Sequence, residues 1–274
     1  MTDRPEPSIR KRLRVEPGAS VDLSGWDPNE TFGHQKSAAV TELAAGVDRL
    51  TDLQERLWAN GAHAVLIVLQ GIDTAGKDGT IQHVMGAFNP QGCDVVAFKV
   101  PTPDELARDF LWRAHKAVPP KGSVAIFNRS HYEDVLVVRV HGLVPAATWR
   151  RRYDQINEFE ALLTETGTTI LKFFLLIDRD EQKARLQARL DDPAKRWKFS
   201  TSDLAERKLW DEYMAAYEEM LERCSPSSAP WHVIPSNRKW FRNLAVADIV
   251  ADAMDDLHLP YPEAEAGLDA IVVE

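Results

Sequence analysis

Cysteine is scarce: Cys93 and Cys224 are the only two in 274 residues. They lie far apart with no metal-ligand spacing, which excludes a disulfide scaffold and a thiolate metal site. Both read as buried thiols in a reducing compartment. No apolar run approaches the roughly 18 residues that crossing a bilayer requires. Arg10, Lys11, Arg12 and Arg14 near the start are not followed by the apolar stretch of a secretory leader. These absences predict a cytoplasmic protein with no membrane partner. Internal repeats and low-complexity segments are also missing. What is present, 44% hydrophobic and 27% charged residues, is enough for one large α/β domain with a substantial core.

Basic charge is in short supply as well, the net charge being −9. Its distribution matters more than its sum. Residues 251–274 hold seven acids (Asp252, Asp255, Asp256, Glu263, Glu265, Asp269 and Glu274) and no Lys or Arg, which leaves the body near neutrality at −2. Within that body, 183–198 carry six bases (Lys183, Arg185, Arg189, Lys195, Arg196 and Lys198) against two acids. Basic charge is therefore local, as around a bound anion, and nonspecific nucleic-acid binding is excluded.

Prolines and glycines (Pro5, Pro7, Pro17, Gly18, Gly25 and Pro28) break residues 1–33 into an irregular arm. Helical spacing of Val40, Leu43, Ala44, Val47, Leu50, Leu53 and Leu57 predicts a long amphipathic helix over 35–59. Residues 64–70, A-V-L-I-V-L-Q, form an apolar run of strand length, as in a strand buried on both faces. Further strands are predicted at 94–100, 123–128, 169–177 and 231–235. Helices are predicted near 77–88, 103–117, 146–166, 180–190, 202–223 and 239–257. This alternation predicts an open parallel sheet with helices on both faces. The expected organisation is an arm (1–33), one phosphotransferase domain (34–258) with a lid at about 183–203, and a loose acidic tail (259–274).

The chemistry begins at Gly71-Ile72-Asp73-Thr74-Ala75-Gly76-Lys77-Asp78. It fits the core of the P-loop pattern G-x-x-x-x-G-K-[ST], with Asp78 in place of the hydroxyl residue. Glycines allow a tight turn whose N–H groups face phosphate oxygens, and the following helix presents its positive end to them. Lys77 adds a charge that can follow a phosphoryl group through transfer. Asp78 is a departure, a carboxylate where a hydroxyl normally touches Mg²⁺. Asp73 is either an acid opposing a metal ion or an acceptor group, or a simple cap of the turn.

A second motif follows the third strand: Phe127-Asn128-Arg129-Ser130-His131-Tyr132-Glu133-Asp134. In such a sheet this strand end lies beside the phosphate loop. Glu133 and Asp134 are candidate oxygen ligands for Mg²⁺, and Arg129 offers a planar fork to phosphate. His131 and Tyr132 fit either a site or simple packing. In the third motif, Arg185 and Arg189 share one helix face at i, i+4. Pro193 then ends the helix before the basic segment Lys195-Arg196-Trp197-Lys198, which reads either as a solvated charged face or as a mobile loop closing over phosphates to exclude water.

With these three motifs in view, the sequence resembles the type 2 polyphosphate kinases. The matching stretches are G-I-D-T-A-G-K-D-G at 71–79, F-N-R-S-H-Y-E-D-V-L at 127–136 and D-P-A-K-R-W-K-F-S at 192–200, within a resemblance over about 25–258. It implies a thymidylate-kinase-like three-layer fold with a lid. It also implies reversible phosphoryl transfer between polyphosphate and a nucleoside mono- or diphosphate, dependent on Mg²⁺ with Mn²⁺ as a substitute. Carried over, Asp73 and Asp134 hold metal and orient the acceptor phosphate, and Lys77 and Arg129 grip the phosphates in transfer. Arg185, Arg189 and Lys198 serve as lid or channel bases. The remaining substrate-binding candidates are Gly71, Thr74, Ala75, Gly76, Asp78, Asn128, Glu133 and Lys195. Glu133 after Tyr132 resembles the branch acting on both AMP and ADP. Base rate and resemblance lead to the expectation of a symmetric homo-oligomer.

No Ser-His-Asp or Cys-His arrangement is evident, and direct in-line transfer without a phosphoenzyme is expected, because phosphoryl transfer needs positioning more than a nucleophile. Two rivals stand beside this reading. One is an ATP-dependent nucleoside monophosphate kinase, against which Asp73 and Asp78 weigh. The other is a non-catalytic polyphosphate-binding protein.

Overall fold

The computed structural model describes residues 7–268, 271 and 273. Pro5 of the expected arm and Asp269 and Glu274 of the expected tail lie outside the described residues.

The run Ala64–Gln70 forms β1, buried along its whole length. Among the described residues it is the middle of a five-stranded sheet, with β2 (Cys93–Ala97), β3 (Val124–Asn128), β4 (Thr168–Leu176) and β5 (Trp231–Pro235) in the order β2-β3-β1-β4-β5. Every pairing is parallel, with Leu69 opposite Asn128 and Gln70 opposite Phe174. Strand order reverses at β1, so the crevice beyond its carboxyl end is where an open α/β sheet takes a ligand.

Helices precede, separate and follow the strands. Before β1 come α1 (Ile9–Leu13) and α2 (Lys36–Asn60), and after it α3 (Lys77–His83). Between β2 and β3 lie α4 (Pro103–Leu106) and α5 (Trp112–His115), and before β4 come α6 (Val137–Val140) and α7 (Ala146–Glu165). Next are α8 (Arg179–Asp191), α9 (Thr201–Lys208) and α10 (Trp210–Arg223), with α11 (Lys239–Asp255) after β5. The pleat of β4 sorts the two faces. Lys172 and Phe174 point to α7 and α10, the Phe174 ring lying 4.5 Å from Tyr217. Phe173 points the other way, beside His232 of β5. α2 buries Leu50, Leu53 and Leu57, and α11, which it packs against, contacts β4 and β5.

Three predicted helices differ in extent. The helix of 77–88 stops at His83 and tightens into a 3₁₀ turn at Met85–Ala87, where Gly86 and Asn89-Pro90 disfavour a further α-turn. The helix of 103–117 is two pieces, because the Asp109 carboxylate accepts the Leu111 N–H (3.0 Å) in competition with the helix ladder. That of 202–223 is interrupted at Leu209, whose ψ of 24° leaves the helical region.

The segment before α2 is irregular in part only. Leu13, Val15, Val21 and Leu23 are buried. Val15 donates to the Trp231 carbonyl (2.8 Å), and Arg14 bridges His232 in antiparallel fashion, so the segment covers the edge at β5. Glu222 and Glu218 of α10 accept the Val21 and Leu23 N–H groups at 2.8 and 3.0 Å. Both cysteines are free thiols, Cys224 buried and Cys93 partly so. Of the tryptophans, Trp231 is fully buried, whereas Trp58 and Trp197 are exposed. Among the described residues, no helix is long and apolar enough to cross a membrane.

Candidate active site

The glycine-rich turn leaves β1 directly and ends as the first turn of α3. Gly71 (φ 152°) and Gly76 (φ 113°) hold conformations that side chains disfavour. A Cβ on Gly71 would stand 2.8 Å from the Leu175 carbonyl oxygen, so β4 and the turn approach as closely as backbone allows. Thr74 also has positive φ (65°), which marks the turn as strained.

Lys77 lies folded back over this turn, its Nζ donating to the Gly71 carbonyl at 2.7 Å. Burial, reinforced by the nearby charge of Arg129, lowers its pKa to about 8, while Asp73, Glu133 and Asp78 act in the opposite sense. The groups that influence Lys77 come from the segments that follow β1 and β3 and from α3 itself. Asn128 at the end of β3 donates to Asp78 (2.9 Å), so Asp78 ties α3 to β3. Arg129 adopts a left-handed φ of 60°, and its N–H donates to Leu69 of β1. Its side chain is 46% exposed, and the guanidinium lies 3.7 Å from Glu133, whose charge is the main cause of its raised pKa. That guanidinium is open to a ligand.

Arg189 of α8 reaches across to Asp73 (3.0 Å) and also approaches Asp203 of α9 (3.8 Å). The expected lid therefore touches the phosphate loop through a carboxylate shared between them. Beyond α8, Lys195 pairs with Asp192 (2.7 Å), and Lys198 lies against the exposed Trp197 ring. Both lysines are exposed.

Two of the expected residues are held by protein partners. Arg185 has every guanidinium nitrogen engaged: Nε with Glu181 (2.7 Å), Nη1 with the carbonyls of Thr74 and Ala75 (2.9 and 3.0 Å), and Nη2 with those of Ser236 and Asn237 (2.6 and 3.1 Å). It satisfies the outward carbonyls of the loop and pins them to the end of β5, a brace rather than an open phosphate donor. Asp134, expected to hold metal, turns its oxygens to Arg152 (2.9 Å) and Arg113 (3.5 Å) and is nearly buried. Burial raises its pKa, and the two guanidinium groups oppose that rise. Its charge is already matched by protein cations.

His131 and Tyr132, whose residue types fit either a site or packing, are packed and buried. Tyr132 donates to Glu160 (2.8 Å), His131 lies 3.3 Å from the same oxygen, and Lys172 donates to Glu160 (2.5 Å), to the Tyr132 hydroxyl and to the Cys224 carbonyl. Burial works against the Glu160 charge, but Lys172 and His131 outweigh it and lower its pKa. This network fixes the turn His131–Asp134 from beneath. Lys172 escaped notice within the apolar run of β4, although a lysine there cannot be buried without a partner. Arg113 and Arg152, which meet Asp134, and the buried Arg242 beside Gly76 lack a sequence signal too, since only the fold brings them there.

Comparisons with known proteins bear on the family of the chain. The family model described as Polyphosphate kinase 2 matches residues 33–260. The chain belongs to the polyphosphate kinase 2 family. It is similar to the AMP/ADP-polyphosphate phosphotransferase of Meiothermus ruber, 52% identical over 96% of this chain and 100% of that one. The ADP-polyphosphate phosphotransferase of Rhodopseudomonas palustris is 44% identical over 92% of each chain. The crystal structure of Polyphosphate Kinase 2 from Arthrobacter aurescens superposes with a TM-score of 0.93 at 49% identity, covering 96% of this chain and 95% of that one. The P-loop kinase-like α/β fold and an enzymatic role follow from membership of this family.

A divalent cation is the cofactor that polyphosphate kinase 2 membership brings into question. Among the described residues, no group of three or more His, Cys, Asp or Glu side chains gathers as an all-protein cage. Mg²⁺ does not need one, since it is commonly held by one or two carboxylates with phosphate oxygens and water. Asp73, part-exposed at the phosphate loop, fits that manner of binding; Asp134, between two arginines, does not.

Proposed function

We propose that this chain transfers a phosphoryl group reversibly between inorganic polyphosphate and AMP or ADP, giving ADP and ATP, by direct in-line displacement. One observation carries the reading. Lys77, Asp73, Arg129 and Glu133 converge at the carboxyl ends of β1 and β3, while Arg189 of the lid contacts Asp73. Phosphate oxygens arriving at the loop would replace the Gly71 carbonyl as the partner of Lys77. Arg129 presents its open fork to the same chain. Arg189 shares its charge between Asp73 and a neighbouring phosphate. The contribution of these groups is positioning and charge neutralisation, the main requirements of phosphoryl transfer. Asp73 would hold Mg²⁺, which when bound offsets phosphate charge. Closure of the segment carrying Lys195 and Lys198 would exclude water and suppress hydrolysis. The name of the Meiothermus ruber relative, and Glu133 after Tyr132, support use of AMP as well as ADP.

The test supplies Mg²⁺ and polyphosphate with AMP or ADP in separate reactions and follows nucleotides by chromatography. ATP plus AMP without polyphosphate is the control. ADP and ATP are expected only where polyphosphate is present, and the AMP reaction decides the acceptor range. Conversion of AMP by ATP in the control, with no transfer from polyphosphate, would give the donor role to ATP and overturn the reading.

A further inference from the structure

Arg242, in the first turns of α11, is 2% exposed. Its guanidinium finds one side-chain acceptor, the neutral amide oxygen of Asn243, at 3.1 Å from Nε and 2.7 Å from Nη2. Among the described residues, no carboxylate pairs with it. A buried charge without a counter-ion is unfavourable to the fold and is normally paired or replaced. Its location is equally specific. A Cβ on Gly76 would stand 1.8 Å from Arg242 Nη1, and one on Gly79 would stand 3.0 Å from Nη2. The guanidinium therefore lies against the phosphate loop and the first turn of α3. Gly76 and Gly79 of the motif make room for it, besides any role in turning the chain. The nearby charge of Arg185 adds to the uncompensated positive charge.

We infer that Arg242 is a positioning residue whose missing counter-charge is supplied by the phosphate chain on the loop, so that it couples anion binding to stabilisation of the loop. It touches no reacting atom. It acts through Gly76 and Gly79, and it strengthens binding of an anionic chain more than it speeds transfer. This inference rests on the proposed use of a phosphate chain at this loop.

The test compares wild type, Arg242→Met and Arg242→Lys by thermal melting and by titration with inorganic tripolyphosphate. Arg242→Gln, which keeps a polar group for Asn243 and removes the charge, replaces the Met variant if that fails to fold. Without anion, the neutral variant is expected to melt no lower than wild type, because removing an uncompensated charge offsets the lost packing. Its tripolyphosphate affinity is expected to fall about tenfold, with KM for polyphosphate rising more than kcat falls. Arg242→Lys is expected to restore most of the affinity. Unchanged tripolyphosphate affinity in the neutral variant overturns the inference, whatever its melting temperature. So does equal loss in Met and Lys variants, which would make shape rather than charge the cause, or absence of tripolyphosphate binding in wild type. The function is read separately. Wild type that binds tripolyphosphate but transfers nothing from polyphosphate refutes the function and leaves Arg242's role standing.

Discussion

Lys77 shows how one side chain links the turn's geometry to a measurable property. Burial and Arg129 lower its pKa from 10.5 to about 8. Between those values the unfolded chain binds a proton that the folded chain does not, so this group's contribution to stability rises as pH goes from about 8 to 10.5. Phosphate affinity moves oppositely, since neutral Lys77 attracts no anion. We therefore predict that kcat/KM for polyphosphate falls as pH rises through about 8. kcat should fall only at higher pH, because bound phosphate favours the charged lysine. A kcat/KM profile flat from pH 7 to 9 would contradict this. The motif made Lys77 and Arg129 legible in the sequence. It could not reveal that Arg185 and Asp134 are occupied by Ser236, Asn237, Arg152 and Arg113. Those partners are distant in sequence and meet only in the fold.

Elements rather than single residues decide where the second motif stands. The turn His131–Asp134 rests on Glu160 of α7 and Lys172 of β4, both essentially inaccessible to solvent. Removing one member of such a pair leaves a buried charge unmatched, at about 3–5 kcal/mol. Lys172→Met is thus expected to lower the melting temperature sharply. Lys172→Met with Glu160→Gln is expected to recover much of that loss. Differential scanning calorimetry on the three proteins checks it, and a double variant no better than the single would contradict the pairing. The elements themselves were largely evident from hydrophobic patterning. β1 and α2 emerge within a residue or two of their predicted bounds because both are long and strongly patterned. The interruptions near Asp109 and Leu209 were hidden, since a local side-chain bond or a small change in ψ leaves helical spacing intact.

At the scale of the molecule, the parallel sheet brings the first two motifs and Arg189 of α8 together, although more than 100 residues separate Asp73 from Arg189. Their convergence could be expected from the βα alternation and the resemblance, whereas the docking of the first segment could not. Prolines and glycines concealed Leu13, Val15, Val21 and Leu23, which are buried without periodic spacing. Each buried aliphatic side chain contributes roughly 1.5–3 kcal/mol. A domain of this size loses about 2–4 °C of melting temperature per kcal/mol. Deleting residues 1–30 is therefore expected to lower the melting temperature by at least about 10 °C. Unchanged melting would show that the segment is dispensable to the core.

The central claim, that the loop carrying Lys77 performs transfer from polyphosphate, is tested most directly by ATP formation from ADP and polyphosphate in wild type and Lys77→Met. The account predicts ATP with wild type only when polyphosphate is present, and a rate at least about a hundredfold lower with Lys77→Met. A Lys77→Met protein within a few-fold of wild type, correctly folded by its melting curve, would place the chemistry elsewhere.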